Sequence, residues 1–312
     1  MTADGVLFGF RNRGVSLLSS QGRAEAEVGG WYGCLPSTPP DEIVSACREA
    51  GVRALSVRPR NIEFLRELPE LEFVSVDPSV DIEPVHALPH LRGLSFGGTW
   101  FGRLDFGRLP SLEWFFVAEA PANGGLETLY AGHSRIRSVR IGQSRVENLE
   151  PFGALPALER LELFVTRALR SLEGASALAP SLTGLELHTC PGLTSLDGIE
   201  ALQDLQFLSL NSCKQITDLS PLAQLPQLRF LDALQLGRIE SLAPLAGHPS
   251  LEAIRFPRPD DKDLSPLETM PNLKAIGYPG GKLKGHPAGP VSFIDQPYDD
   301  PFIVEMNRLR AG

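Results

Sequence analysis

Residues 202–224 read LQDLQFLSLNSCKQITDLSPLAQ, and the next 23 residues read LPQLRFLDALQLGRIESLAPLAG. The two segments align position for position. Self-similarity at this spacing means a stacked array, because one such unit cannot bury its own apolar side. The pattern extends well beyond the pair. An apolar-x-x-apolar-x-apolar core begins at Val52, Leu71, Leu91, Leu112, Ile136, Leu158, Leu182, Leu205, Leu228, Leu251 and Leu273, at intervals of 19 to 24 residues. That makes eleven units.

Other positions repeat in register with this core. Proline stands two residues before it at Pro69, Pro89, Pro110, Pro156, Pro180, Pro226, Pro249 and Pro271. A second proline recurs across the unit at Pro84, Pro151, Pro221, Pro244 and Pro266. Proline has a fixed φ and no N–H, so it suits the start of a strand and the first helical position. Ser220 and Ser265 precede this second proline and are expected to be N-caps. Each unit therefore predicts a short strand, a turn, and a short helical or 3-10 segment that returns the chain.

These residues resemble the leucine-rich repeat proteins, specifically the bacterial internalin-like class with repeats of about 22 residues. The stretch ITDLSPLAQLPQLRFL carries the resemblance most strongly. It implies an α/β, β-rich fold: a right-handed solenoid with a parallel sheet on a concave face and short 3-10 or helical segments on the convex face. Domains are expected at 1–51 (an N-terminal cap of short strands plus a helix at 40–50), 52–280 (the solenoid) and 281–312 (a C-terminal cap or tail). The family's Asn or Cys position, eight residues after the first Leu, holds Ser79, Thr99, Ser144, Thr166, Cys190 and Cys213 here. Cys190 and Cys213 thus fall on adjacent turns, about 5 Å apart at strand spacing. No further Cys or His joins them at ligand spacing, so a ladder of small core residues is expected and no metal is.

The ends of an array must cover its terminal apolar faces. TPPDEIVSACREAG, residues 38–51, predicts a capping helix with Asp41 and Glu42 in the first turn and Gly51 stopping it. Residues 1–35 alternate apolar and polar, as short strands do. FIVEMNRLRAG at the far end places Phe302, Ile303, Met306 and Leu309 on roughly one helical face.

Composition narrows the function. A net charge of −9 opposes nucleic-acid binding, which needs clustered Lys and Arg. Asp4, Arg11 and Arg13 spoil a secretory signal, and no apolar run approaches the roughly 18 residues of a membrane span. Four cysteines in 312 residues do not make a disulfide scaffold. These features together predict a cytoplasmic protein with reduced thiols.

No catalytic, cofactor-binding or metal constellation is found. GYPGGKL at 277–283 is one residue short of a phosphate loop and ends in Leu283 rather than Ser or Thr. PDDKD at 259–263 lacks the glycine of a calcium loop and is expected to be a solvated turn. His86 and His90 are four apart, but Pro89 interrupts them and no Glu follows His86.

The residues between the inward apolar positions should point to the concave face. On that reading, partner-binding residues are Phe73, Trp114, Phe116, Arg140, Arg160, Glu162, Phe164, Glu186, His188, Phe207, Asn211, Phe230, Asp232 and Arg255. The rings among them are expected to be exposed, with Phe207 and Phe230 side by side. Aromatic residues and Arg dominate binding hot spots. The expectation is a non-catalytic module that binds another protein on its concave face. Alternatives are an immunity or inhibitor protein that neutralises a toxin or enzyme, and an enzyme or enzyme-complex subunit with an unrecognised concave site. Trp100 and Phe101 follow the third strand, as either a second contact or a plug.

Overall fold

The computed structural model describes residues 7–10, 31–34, 37–77, 79–121, 125–278 and 292–294. The helical reading of 302–309 and most of the GYPGGKL stretch lie outside them. The chain divides into two compact units, residues 1–142 with 154–157, and residues 143–153 with 158–312.

In the first unit, β1 (Leu7–Phe10) pairs antiparallel with β2 (Trp31–Cys34), and β2 runs parallel to β3 (Ala54–Val57). Parallel pairing continues through β4 (Phe73–Val76), β6 (Gly93–Phe96), β8 (Trp114–Val117) and β9 (Ser138–Gly142). Two short strands, β5 (Val80–Asp81) and β7 (Trp100–Phe101), form a separate parallel ribbon. Helix α1 (Pro40–Ala50) has Pro at its first turn and ends where Gly51 turns left-handed at φ 61°. Its Ile43, Val44, Ala46 and Cys47 are buried, the stripe an amphipathic helix presents to a core.

The second unit holds β10 (Arg160–Phe164), β11 (Gly184–His188), β12 (Phe207–Asn211), β13 (Phe230–Asp232), β14 (Ala253–Arg255), β15 (Ala275–Gly277) and β16 (Ser292–Ile294), all parallel and consecutive. Their returns are short: α2 (Ala175–Leu178), 3-10 turns at Ile199–Ala201, Ser220–Gln224 and Ala243–Leu245, and α3 (Ser265–Glu268).

The repeat's hydrophobic code accounts for this. Inward residues such as Leu161, Leu163, Leu185, Leu187, Leu208 and Leu210 are essentially inaccessible to solvent. The first apolar position of each unit is buried throughout, except Leu273, which is half-buried. Consecutive turns are joined by a recurring pair of hydrogen bonds. The Arg229 and Phe230 N–H groups both donate to the Gln206 carbonyl, and those of Glu252 and Ala253 both donate to the Arg229 carbonyl. In the first unit the Arg53, Glu72, Arg92 and Glu113 carbonyls accept the same paired bonds from the next turn.

That doubly bonded position carries alternating charge. Arg92 lies between Glu72 and Glu113, at 3.4 and 3.3 Å. Arg53 also pairs with Glu72, and Arg135 reaches Glu113 at 3.5 Å. In the second unit Glu252 bonds Arg229 and Lys274, each at 2.6 Å. Before them in that unit the position holds Glu159 and then the neutral Thr183 and Gln206.

The returns are capped differently from the expectation. Ser220 and Ser265 are not the caps. Asp218 Oδ1 accepts the Ser220 N–H at 2.8 Å, and Asp263 Oδ1 accepts that of Ser265 at 2.9 Å. The same side-chain turn recurs at Asn61, Asp81, Asp105, Asn148, Ser171, Ser195 and Ser241. A short polar side chain two residues upstream imitates a backbone turn and satisfies the first donor of the return. A serine already inside the turn cannot reach that donor.

The small-residue position behaves in two ways. Ser144, Thr166, Cys190 and Cys213 are buried, and the Cys213 thiol donates to the Leu187 carbonyl at 3.2 Å. Ser79 and Thr99 instead lie toward solvent and bond each other at 3.0 Å beside the β5–β7 ribbon. Trp100 plugs the ribbon, packing 4.6 Å from Phe96, whereas Phe101 is 64% exposed. His86 is structural. Its Nε2 accepts the Asp105 N–H at 3.0 Å and its Nδ1 faces Glu83 at 3.3 Å. No helix among the described residues is long and apolar enough to cross a membrane.

Candidate functional site

Strand alternation sends every second side chain of each sheet away from the core, and the register lines these up in rows. In the first unit one row runs Ala54, Phe73, Gly93, Trp114, Ser138. The next runs Ser56, Ser75, Ser95, Phe116, Arg140. The facing expected from the sequence therefore holds for Phe73, Trp114, Phe116 and Arg140.

Their exposure does not hold throughout. Phe73 is fully buried and Phe116 is 4% exposed, while Trp114 and Arg140 are half-buried. Gly93 lacks a side chain, so the Phe73 and Trp114 rings lean across it to centroids 5.6 Å apart. Arg92 covers them, its guanidinium 5.8 Å from the Phe73 ring and 5.1 Å from the Trp114 ring. Arg140 similarly stacks 5.0 Å from Phe116.

In the second unit the rows are Arg160, Gly184, Phe207, Phe230, Ala253, Ala275, and then Glu162, Glu186, Ser209, Asp232, Arg255, Gly277. A third, shorter row holds Phe164, His188 and Asn211. Phe207 and Phe230 are neighbours as expected, but they are only 6% and 3% exposed. They form an apolar cluster with Ala253 and Ala275. The small Ala253 and Ala275 complete the cluster on one flank, and on the other the Arg160 side chain lies against Gly184. These rings are part of the packed structure, and the expectation of an exposed aromatic stripe is corrected for Phe73, Phe116, Phe207 and Phe230.

What the second unit presents instead is a half-buried polar field. Arg160, Glu162, Phe164, Glu186, His188, Asn211 and Asp232 are all partly accessible. Asp232 is bonded to Arg255 at 3.2 Å. Burial pushes the Asp232 carboxyl above its ordinary range, with Arg255 opposing. Arg255 is 7% exposed and lies across Gly277, where any Cβ would come within 2.8 Å of its Cγ. The His188 ring nitrogen Nε2 sits 3.5 Å from Glu186. Asn211 accepts a bond from Ser212, which is also 3.0 Å from Gln235.

The backbone fixes this field. β10, β11 and β12 are five residues long, and the residue after each, Val165, Thr189 and Ser212, is left-handed at φ 54–57°. For a β-branched residue such as Val165 this conformation costs about 1–2 kcal/mol. Inter-turn bonds hold it: the Val165 N–H donates to the His188 carbonyl and the Thr189 N–H to the Asn211 carbonyl, both at 2.7 Å. The turns thereby lock the strand ends that carry Phe164, His188 and Asn211.

Sequence reasoning missed Arg92, which covers the row of rings, and Glu72 and Glu113, which pair with Arg92. The alternation of sign at that repeat position was the available signal. It also missed that Glu162, Glu186 and His188 converge, because their spacing of 24 residues conceals a distance of one strand.

No protein-family model matches the chain, and no curated protein matches it either. Among solved structures, the internalin InlF of Listeria monocytogenes is similar with a TM-score of 0.55 at 13% identity, covering 80% of this chain and 73% of that one. The internalin C2 of the same organism gives 0.44 at 21% identity, over 69% and 83% of the two chains. The leucine-rich repeat domain of the type III effector XopL gives 0.44 at 22%, over 61% and 71%. The likeness to InlF is one of fold, and the chain is a leucine-rich repeat solenoid.

Proposed function

We propose that the chain is a non-catalytic binding module that receives a partner protein on the outward sheet face of its second unit. Arg160, Glu162, Phe164, Glu186, His188, Asn211 and Asp232 make the contact. The observation that carries this reading is the half-buried polar field itself. Charged and aromatic side chains stand in rows on a rigid sheet, held at one edge by three successive left-handed residues. A surface meant only for water has no need of such fixed placement, and preorganised side chains lose little entropy on binding. The buried rings Phe207 and Phe230 stand in the same row as Arg160 and pack with Ala253 and Ala275. Phe164 is the ring left to contact a partner directly.

The test compares wild-type chain with Phe164→Ala and Glu186→Arg in affinity capture from the native cell, read by quantitative mass spectrometry. A partner retained by wild type and lost from both variants, at unchanged melting temperature, supports the reading. Equal retention by Glu186→Arg moves the contact off this face.

A further inference from the structure

We propose that Glu162, Glu186 and His188 form a binding site for a divalent first-row transition cation, Zn²⁺ foremost. The donor atoms of these three side chains all lie within 4.8 Å of one another. The register explains the convergence. Glu162 and Glu186 are direct partners on neighbouring strands, and His188 stands two residues beyond Glu186 on the same face. The site therefore rests on sheet backbone and not on a loop, the better support for a ligand set.

The distances suit a metal. Zinc binds imidazole nitrogen at about 2.0–2.1 Å and carboxylate oxygen at about 2.0–2.2 Å, so adjacent tetrahedral donors are roughly 3.4 Å apart. His188 Nε2 and Glu186 Oε2 are already 3.5 Å apart. The Glu162 carboxylate lies within 4.8 Å of both, so a rotation of that side chain brings it toward the same spacing. The donor types select the cation. An imidazole with two carboxylates suits Zn²⁺, Co²⁺ or Mn²⁺, while Ca²⁺ takes six to eight oxygens and Mg²⁺ keeps most of its water. Three protein donors leave a coordination position open for water or for a donor from another molecule.

The surroundings are compatible. Half-burial of all three residues reduces competition from water. Among the described residues, the charged groups in the same rows are Arg160, two residues before Glu162, and the Asp232–Arg255 ion pair. The four cysteines are buried and free, and Cys190 and Cys213 point into the core from the other side of the strand end. The three ligands are among the residues proposed to meet a partner, and the titration below, made with no partner present, tests the cation site separately from that reading.

The experiment uses the full chain after removal of metal with a chelator. Zn²⁺ is titrated by calorimetry, and Co²⁺ by its visible d–d absorption. One equivalent is expected, with Co²⁺ giving no sulfur-to-metal charge-transfer band. His188→Ala, Glu162→Gln and Glu186→Gln should each weaken binding by about tenfold or more. The Cys190→Ser, Cys213→Ser double variant should bind as wild type. The proposal is overturned by no binding to wild type, by undiminished binding in Glu186→Gln, or by a sulfur band that disappears with the cysteines. Should His188→Ala not fold, the wild-type and glutamine-variant titrations decide the matter.

Discussion

Phe73 and Trp114 touch across the strand that separates them, with ring centroids 5.6 Å apart, because residue 93 between them is glycine. Such a pair contributes about 0.5–1.5 kcal/mol beyond the area it buries. A double-mutant cycle with Phe73→Leu and Trp114→Leu, measured by urea denaturation, should return a coupling of that size. Gly93→Val should lower the coupling toward zero, since its branched side chain fills the gap the rings lean across. A coupling of zero in the Gly93 background would show that the rings act separately.

Phe207 and Phe230 are predicted to be structural. Both are buried, in a cluster with Ala253 and Ala275. Replacing either with Ala should cost about 3–5 kcal/mol, the usual range for a buried ring. The double variant should melt well below wild type. An unchanged melting temperature would mean that the rings are dispensable to the fold and belong to a contact surface after all.

Arg92 is predicted to matter more for its charge than for its stem. It is 27% exposed and lies between carboxylates that are 10% and 11% exposed. Breaking a fully buried pair costs about 3–5 kcal/mol; partial exposure reduces the expectation here to about 2 kcal/mol. Arg92→Met keeps the apolar stem over the two rings and loses only the charge. It should be nearly as destabilising as Arg92→Ala. A Met variant as stable as wild type would assign the residue's contribution to packing.

Acid should weaken the fold before its carboxylates titrate. Burial is the main cause that holds the His86 imidazole below its ordinary range, with Arg108 adding to it and Glu83 opposing. Burial also lowers His248, against two backbone bonds. An unfolded imidazole takes up a proton near pH 6.5, whereas these two resist until lower pH. The unfolded chain then binds more protons, so the stability is complete above about pH 6.5 and falls as pH drops through that value. The denaturation midpoint should decline between about pH 7 and about pH 5.5. His86→Gln with His248→Gln should flatten that decline; an unaltered slope in the double variant would place its origin elsewhere.

The repeat made most of this architecture readable in advance. The alternation in RLELF, GLELH and FLSLN assigns each residue a face, and all three strands obey it. The left-handed Val165 was not legible, because no glycine marks it and its bond to the His188 carbonyl comes from another turn. The burial of Phe207 was not legible either. Facing is set by local alternation, but exposure depends on what packs against the ring, here Phe230 on the next strand with Ala253 and Ala275 beyond it. The convergence of Glu186 with Glu162 needed the pairing register, which differs from unit to unit because the intervals do.

The alternation of Arg53, Glu72, Arg92 and Glu113 has a consequence for how such a chain gains or loses length. Each turn contributes one sign, so removing one turn brings like charges together: without residues 71–90, Arg53 would meet Arg92. Removing two adjacent turns restores opposite neighbours. Along this rim the array therefore carries a parity, and turns are exchanged most readily in pairs. The neutral Thr183 and Gln206 interrupt that constraint. They mark the place where a single turn can be inserted or deleted without setting charge against charge.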